Sequence, residues 1–119
     1  MKLNLSGHFN QSLEDLGFTF PGTIQMDVTK SYEDNLVSIT KFLTNLGVAS
    51  NTVVTIALPG MSMLASMVIV SLHGLTGQFP NIVTLIRNNE GQFVFGEEVD
   101  LQSLRNQICR SNRENVVNL

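Results

Sequence analysis

The chain has 119 residues, 43% of them hydrophobic, and a formal net charge of −3 at neutral pH. This length suits one domain with one core, and the hydrophobic content argues against a disordered chain. The acidic balance argues against a duplex nucleic-acid binder, which needs a basic face to displace counterions. It leaves room for a small anionic ligand, because backbone N–H groups bind phosphate without net positive charge.

Cysteine use and hydropathy indicate where the protein works. The single cysteine, Cys109, permits no internal disulfide, as in a reducing cytoplasm, and we expect it to be a buried apolar side chain. The N-terminal stretch lacks the apolar run of a signal peptide. The apolar run 61–75 is shorter than the roughly 20 residues that span a bilayer. We therefore expect a cytoplasmic protein without a membrane partner.

The first half of the chain predicts two strands, a helical turn and a helix. Ser31 begins the helix as the N-cap of a capping box, and Gly47 ends it. The elements are a strand at 2–5, a helical turn at 12–16, a weaker strand at 23–28 and the helix up to residue 46.

The central stretch, residues 51–77, organises the rest of the chain. Residues 52–58 form an apolar, β-branched run typical of an interior parallel strand, and Pro59 and Gly60 end it. A helix follows, with Ser62 as the expected N-cap and Gly74 at its C-terminus. Its apolar residues cover most of the circumference, which is typical of a helix buried on more than one side. We expect the sheet on one side and another subunit on the other.

The last third of the chain predicts a strand at 82–87, a turn at 88–91, and a returning edge strand at 92–99. Asp100 then caps a final helix with Leu101, Leu104 and Ile108 on its inner face. Together the elements predict a single α/β domain spanning residues 1–119. It is a small Rossmann-like fold: a mostly parallel sheet with helices on both faces and a C-terminal β-hairpin edge.

Ligands of open parallel sheets bind outside the carboxyl ends of the strands. The end of the central strand, at Pro59 and Gly60, leads directly into a helix. Unpaired N–H groups and the positive end of the helix dipole therefore point at the crevice, which suits a phosphate. A plain strand-to-helix connection is the alternative. The expected ligand-binding residues are Ser6, Gly7 and His8 after the first strand, Pro59, Gly60, Met61 and Ser62 after the central strand, and Arg87 and Asn88 after the third.

Other chemistry has little support in the sequence. The chain has no GxGxxG and no Walker lysine, which disfavours a dinucleotide or nucleoside-triphosphate enzyme. Two histidines and one cysteine at distant positions lack metal-ligand spacing, so we expect no metal and no cofactor. Ser62 has no local base and Ser6 has only His8 nearby, so no catalytic residue is predicted. His73 is expected to interact with the helix dipole or to pack as a structural side chain.

Three segments in their order and spacing carry a family resemblance. They are SGH after the first strand, ALPGMS at the strand-to-helix junction and LHGLTGQFPNIVTL after that helix. Together they resemble small stand-alone proteins of type III CRISPR loci, of the Csx-fifteen type, which are related to the CARF (CRISPR-associated Rossmann fold) sensors. The resemblance covers about residues 3–87. No single motif is diagnostic.

The resemblance implies a homodimer that binds a cyclic oligoadenylate messenger, with cyclic tetra-adenylate as the expected ring, and sequesters it. Further assembly of dimers on ligand binding stays open, and Val116, Val117 and Leu119 in the tail would permit it. A metal-independent ring nuclease is the first alternative, because others with this general fold cleave the ring. A structural subunit without a nucleotide ligand is the second, and a small nucleotide-processing enzyme such as a nucleoside transferase is the third.

Overall fold

The computed structural model describes the backbone of residues 1–117 and the side chains of residues 1–113. The predicted apolar tail side chains at 116, 117 and 119 lie outside these described side chains. Strands and helices alternate along the chain. They are β1 (Lys2–Asn4), α1 (Gln11–Asp15), α2 (Tyr32–Asn45), β2 (Thr55–Ala57), α3 (Ser62–Thr76), β3 (Asn81–Arg87), β4 (Phe93–Asp100), α4 (Leu101–Leu104), a π-helical turn (Arg105–Cys109) and α5 (Arg110–Val117).

The described residues form an α/β protein with an open, four-stranded, mixed sheet in the order β1-β2-β3-β4. The first three strands are parallel, with Leu3 opposite Ile56 and Ile56 opposite Ile82. Strand β4 is antiparallel to β3 and forms the edge. The predicted central strand and C-terminal hairpin are therefore confirmed.

The two long helices, α2 and α3, pack on the same face of the sheet. The strands are added in one direction, and right-handed crossovers then place successive helices on one side. The core on that face is formed by Leu3, Leu5, Ile39, Leu43, Val48, Val54, Ile56, Leu64, Val68 and Leu72. A second, smaller cluster forms where Leu13 of short α1 and Phe18 pack with Ala57 and Val83. Helices therefore lie on both faces, although α1 is short. The strand order runs in one direction, without the reversal that opens the ligand crevice of doubly wound sheets.

The predicted strand at 23–28 is wrong. Only Thr19 bridges to Leu3 of β1, and the chain then passes Pro21 and Gly22, where a φ of +100° turns it. Residues 21–27 have no regular structure, and the Asp27 N–H donates to the Asn35 side chain instead of to a strand. The β-branched residues of this segment favour a strand locally, but the segment does not pair with a neighbouring strand.

Both predicted ends of α3 shift. Met61, not Ser62, is the N-cap, and it makes no side-chain capping bond. The helix passes through Gly74 to Thr76 and ends at Gly77, whose φ of +84° is left-handed. Burial of Thr76, whose hydroxyl donates to the Leu72 carbonyl at 2.7 Å, extends the helix beyond the first glycine. In α2, by contrast, Ser31 caps the Asp34 N–H as predicted.

The expected inner face of the final helix is wrong at Leu104 and Ile108, whereas Leu101 is half-buried. Asp100 does cap it, accepting from the Ser103 N–H at 3.0 Å. However, Leu104 is 42% and Ile108 54% exposed, and Cys109 is exposed rather than buried. The helix starts at the edge strand, where no later element covers it in the described part of the chain. The Cα radius of gyration, 15.8 Å, accordingly exceeds the value of about 13.5 Å for a compact chain of this length.

Candidate functional site

The first candidate turn, residues 6–8, follows β1 and is held by Asn4. The Asn4 side chain is only 2% exposed, and its Oδ1 accepts from the Ser6 N–H at 3.1 Å and from the Ser6 hydroxyl at 2.6 Å. Its Nδ2 donates to the His8 backbone oxygen at 2.9 Å. Gly7 has a φ of +86°, which glycine adopts without strain. The turn is therefore preorganised, and its serine hydroxyl is committed to this network rather than free to act as a nucleophile.

The second candidate turn, residues 59–61, joins β2 to α3. Pro59 is buried, whereas a Cβ added at Gly60 would meet nothing within 4 Å. Side chains cap the starts of α1, α2 and α4, namely Asn10, Ser31 and Asp100, but none caps α3. The first N–H groups of α3 therefore keep their hydrogen-bonding capacity, and the dipole of a 15-residue helix adds a positive potential there.

The two turns line one cavity of about 340 Å³, named here the turn cavity. They meet because β1 and β2 are adjacent and parallel, with Asn4 opposite Ala57, so both strands end at the same edge. Residues 23–26 and Leu64 complete the wall. Of the predicted ligand-binding residues, the turn cavity brings together Ser6, Gly7, His8, Pro59, Gly60 and Met61.

The other three predicted residues lie outside the lining of this cavity. Ser62 is the first, exposed residue of α3. The Arg87 guanidinium carbon lies 4.9 Å from the centroid of the Phe93 ring. Asn88 closes the hairpin, since its Oδ1 accepts from the N–H groups of Glu90 and Gln92.

Two parts of the site were missed by sequence reasoning. Asn4 was read as an ordinary strand residue, although a polar side chain between Leu3 and Leu5 is the signal of a buried hydrogen-bonding role. Residues 23–26 were predicted as a strand, yet they form a wall opposite the second turn. No local pattern indicates that a coil segment folds back there, because it depends on the turn at Pro21 and Gly22.

The electrostatics of the turn cavity come from backbone groups more than from charged side chains. Its lining contains no lysine, arginine, aspartate or glutamate, and His8 is the titratable side chain among the lining residues. Across the described residues, no three His, Cys, Asp or Glu side chains cluster as metal ligands would. The cavity can therefore accept a small anion or a polar ligand through N–H groups. The Ser6 hydroxyl in its lining donates to Asn4 Oδ1 or to the His8 backbone oxygen and not to a side-chain base.

The remaining polar candidates lie elsewhere. The His73 ring packs on Phe79 with centroids 4.4 Å apart, as expected for a structural side chain. Arg105, Arg110 and Arg113 are exposed on the final helix. Within the described part of the chain, no helix has the length and hydropathy to cross a bilayer.

Comparison of this chain with protein-family models, with curated proteins and with solved structures found no significant match. The resemblance to the Csx-fifteen type therefore stays a prediction from the sequence.

Proposed function

We propose that the chain binds a cyclic oligoadenylate across a homodimer and sequesters it, which would damp type III CRISPR antiviral signalling. Cyclic tetra-adenylate is the expected ligand. One observation carries this proposal. Two turns that are 50 residues apart in sequence, at 6–8 and 59–61, line one cavity at the carboxyl edge of adjacent parallel strands. Ligands of open parallel sheets bind outside the carboxyl ends of the strands, and here the two turns, not a reversal of strand order, form the crevice.

The chemistry of the cavity supports a phosphodiester. The uncapped start of α3 offers N–H donors and a positive dipole end, and His8 adds a side chain that can donate to a phosphate oxygen. The open space at Gly60, which lacks a side chain, allows a ligand to approach the backbone closely. Binding through backbone groups also agrees with the acidic net charge of the chain.

An exposed apolar surface beside the cavity supports the dimer. This helix surface consists of five exposed side chains: Tyr32 and Val37 on α2, Met61 just before α3, and Met63 and Val70 on α3. Met61 belongs both to this surface and to the turn cavity. If two copies pair through the helix surface, their cavities approach each other across a two-fold axis. Such a site suits a ring of repeated units, since each subunit presents the same groups.

Sequestration is preferred to cleavage because of the cavity lining. A ring nuclease must stabilise charge that develops on the phosphate, usually with cations or several donors aimed at it. No lysine or arginine lines the turn cavity. A nuclease remains the alternative, and it would use His8, which can act as a general acid or base.

A matched pair of variants tests the proposal by calorimetric titration with cyclic tetra-adenylate. Gly60→Asp and Gly60→Asn place side chains of nearly equal size in the same open space, so both should fold. The aspartate should abolish binding by repelling phosphate, and the asparagine should retain a substantial part of it. Equal affinity of the wild type and both variants would remove this turn from the binding site. No binding to the wild type would favour the structural-subunit alternative.

A further inference from the structure

A second cavity of about 520 Å³ lies on the other side of the first turn. It is named here the aromatic cavity, because Phe9 and Phe93 line it together with Leu58 and Leu85. It shares Ser6, His8 and Gly60 with the turn cavity. A ligand bound at the shared turn can therefore place one group in each cavity.

The two phenylalanine rings are exposed but held in place. Phe9 is 55% and Phe93 51% exposed, although large apolar rings are usually buried. The Phe9 ring packs edge-to-face on Phe20, with centroids 6.4 Å apart. The Phe93 backbone oxygen accepts from Asn10 Nδ2 at 2.9 Å, which ties β4 to the start of α1. Because the Phe9 ring packs on Phe20 and the Phe93 ring on the Arg87 guanidinium, stacking on them costs less ordering entropy than stacking on unrestrained side chains.

Arg87 places a positive charge beside Phe93, one of the residues that line this cavity. Its guanidinium lies over the Phe93 ring, 4.9 Å from the centroid, in a cation–π contact. Phe93 lines the cavity and is about half exposed. A planar ligand group that stacks on Phe93 would form a stack with the ring and the Arg87 guanidinium. The positive charge of Arg87 would also favour a ligand that carries phosphate.

We infer that the aromatic cavity is a nucleobase subsite, in which a base stacks on Phe93 against Phe9 while its phosphate occupies the turn cavity. This inference deepens the proposed function and rests on it for the identity of the ligand. It also assigns a role to Arg87, which lies outside the turn cavity. Rings that recognise bases by stacking tolerate any base, so the subsite supplies affinity, and adenine selectivity would need further contacts.

The test compares Phe93→Leu with Phe93→Tyr, titrating each with cyclic tetra-adenylate and with AMP. Leucine keeps an apolar side chain but loses the ring, and tyrosine keeps the ring. Phe93→Leu should weaken binding about tenfold or more, as expected for loss of base stacking, whereas Phe93→Tyr should remain close to the wild type. Phe79→Leu, at the His73 contact, is the matched control and should bind as the wild type does. Thermal melts check that every variant folds.

The outcomes separate this inference from the proposed function. If the wild type binds the ring, Gly60→Asp loses it and Phe93→Leu does not weaken it, the base subsite is wrong and the proposed function stands. If AMP binds with the expected loss in Phe93→Leu while the cyclic ring does not bind, the base subsite stands and the messenger is wrong. If ribose 5-phosphate binds as tightly as AMP, or if neither AMP nor the ring binds, the base subsite is overturned.

Discussion

The Asn4 side-chain amide donates to the backbone oxygen of His8 at 2.9 Å, four residues along the chain. The same amide accepts from Ser6 through its oxygen, so one buried side chain fixes both ends of the first turn. The turn then presents Ser6 and His8 to both cavities. The geometry of the proposed site therefore depends on a residue that does not line either cavity.

Replacing Asn4 with aspartate should disrupt this turn. Aspartate has almost the same shape, but it cannot donate to the His8 carbonyl, and it buries a charge at a position that is 2% exposed. We expect a loss of about 1–3 kcal/mol in the free energy of unfolding, the range for an unsatisfied buried group, and weaker binding of cyclic tetra-adenylate. Urea unfolding measures the first and calorimetry the second. Asn89→Asp controls for the added charge, because Asn89 is exposed in the hairpin turn. Equal free energies of unfolding for the two variants would contradict the role of Asn4.

His8→Ala separates the binding and cleavage hypotheses. His8 is exposed and lines both cavities, so its loss should weaken binding of cyclic tetra-adenylate without affecting folding. His73→Ala, at the far end of α3, should leave binding unchanged and serves as the control. The ring nuclease would replace the sequestering protein if His8→Ala stopped cleavage of the ring while its affinity stayed the same.

Gly96 should tolerate no side chain, for a reason of packing and not of backbone angle. A Cβ there would lie 2.7 Å from Thr84 Oγ1 and 3.1 Å from Ile86 Cγ2, in the hairpin where the β3–β4 register shifts. We expect Gly96→Ala to lower the free energy of unfolding by about 1–3 kcal/mol, as overpacking does. Gly74→Ala, inside α3 with open space around it, should instead raise it by about 0.5–1 kcal/mol. Urea unfolding of both variants measures these free energies. An unchanged free energy of unfolding in Gly96→Ala would contradict the prediction and mean that the hairpin relaxes to accommodate the side chain.

The cap of the final helix should respond to acid. Hydrogen bonds from the Ser103 N–H and hydroxyl hold the pKa of Asp100 below its ordinary value. Because the folded-state pKa is the lower one, the carboxylate stabilises the fold above its ordinary pKa, and this contribution is lost as pH falls through the folded value. Ser103→Ala removes the hydroxyl donor, so an NMR titration should show the pKa of Asp100 rising. The pKa of Asp27, which is lowered by hydrogen bonds from Thr29, should stay unchanged and serves as the control. An unchanged pKa of Asp100 would contradict the role given to the Ser103 hydroxyl.

Local patterns in the sequence were sufficient to predict most elements and half of the site. The β-branched run before Pro59, the Ser31 cap and the hairpin turn at Asn88 depend on neighbouring residues, and all three are found in the structure. The two turns that meet in the turn cavity could also be predicted, because adjacent parallel strands must end at one edge.

The parts that sequence reasoning missed depend on distant contacts. The order β1-β2-β3-β4 decides that α2 and α3 share a face, and alternation of strands and helices alone does not determine it. The aromatic cavity requires the β3–β4 hairpin to bring Phe93 beside Phe9, 84 positions earlier in the sequence. The hydrogen bonds of the Asn4 side chain go to its near neighbours Ser6 and His8, but its role depends on its burial beneath the turn.

The most direct test of the proposed function is a calorimetric titration of the wild-type chain with cyclic tetra-adenylate, followed by chromatography of the recovered ligand. The proposal predicts tight binding of one ring per two chains and recovery of the ring intact after long incubation. Recovery of a linear product would replace sequestration with cleavage. No binding at high micromolar concentration would contradict the proposed function and would leave the α/β fold with an unassigned pair of cavities.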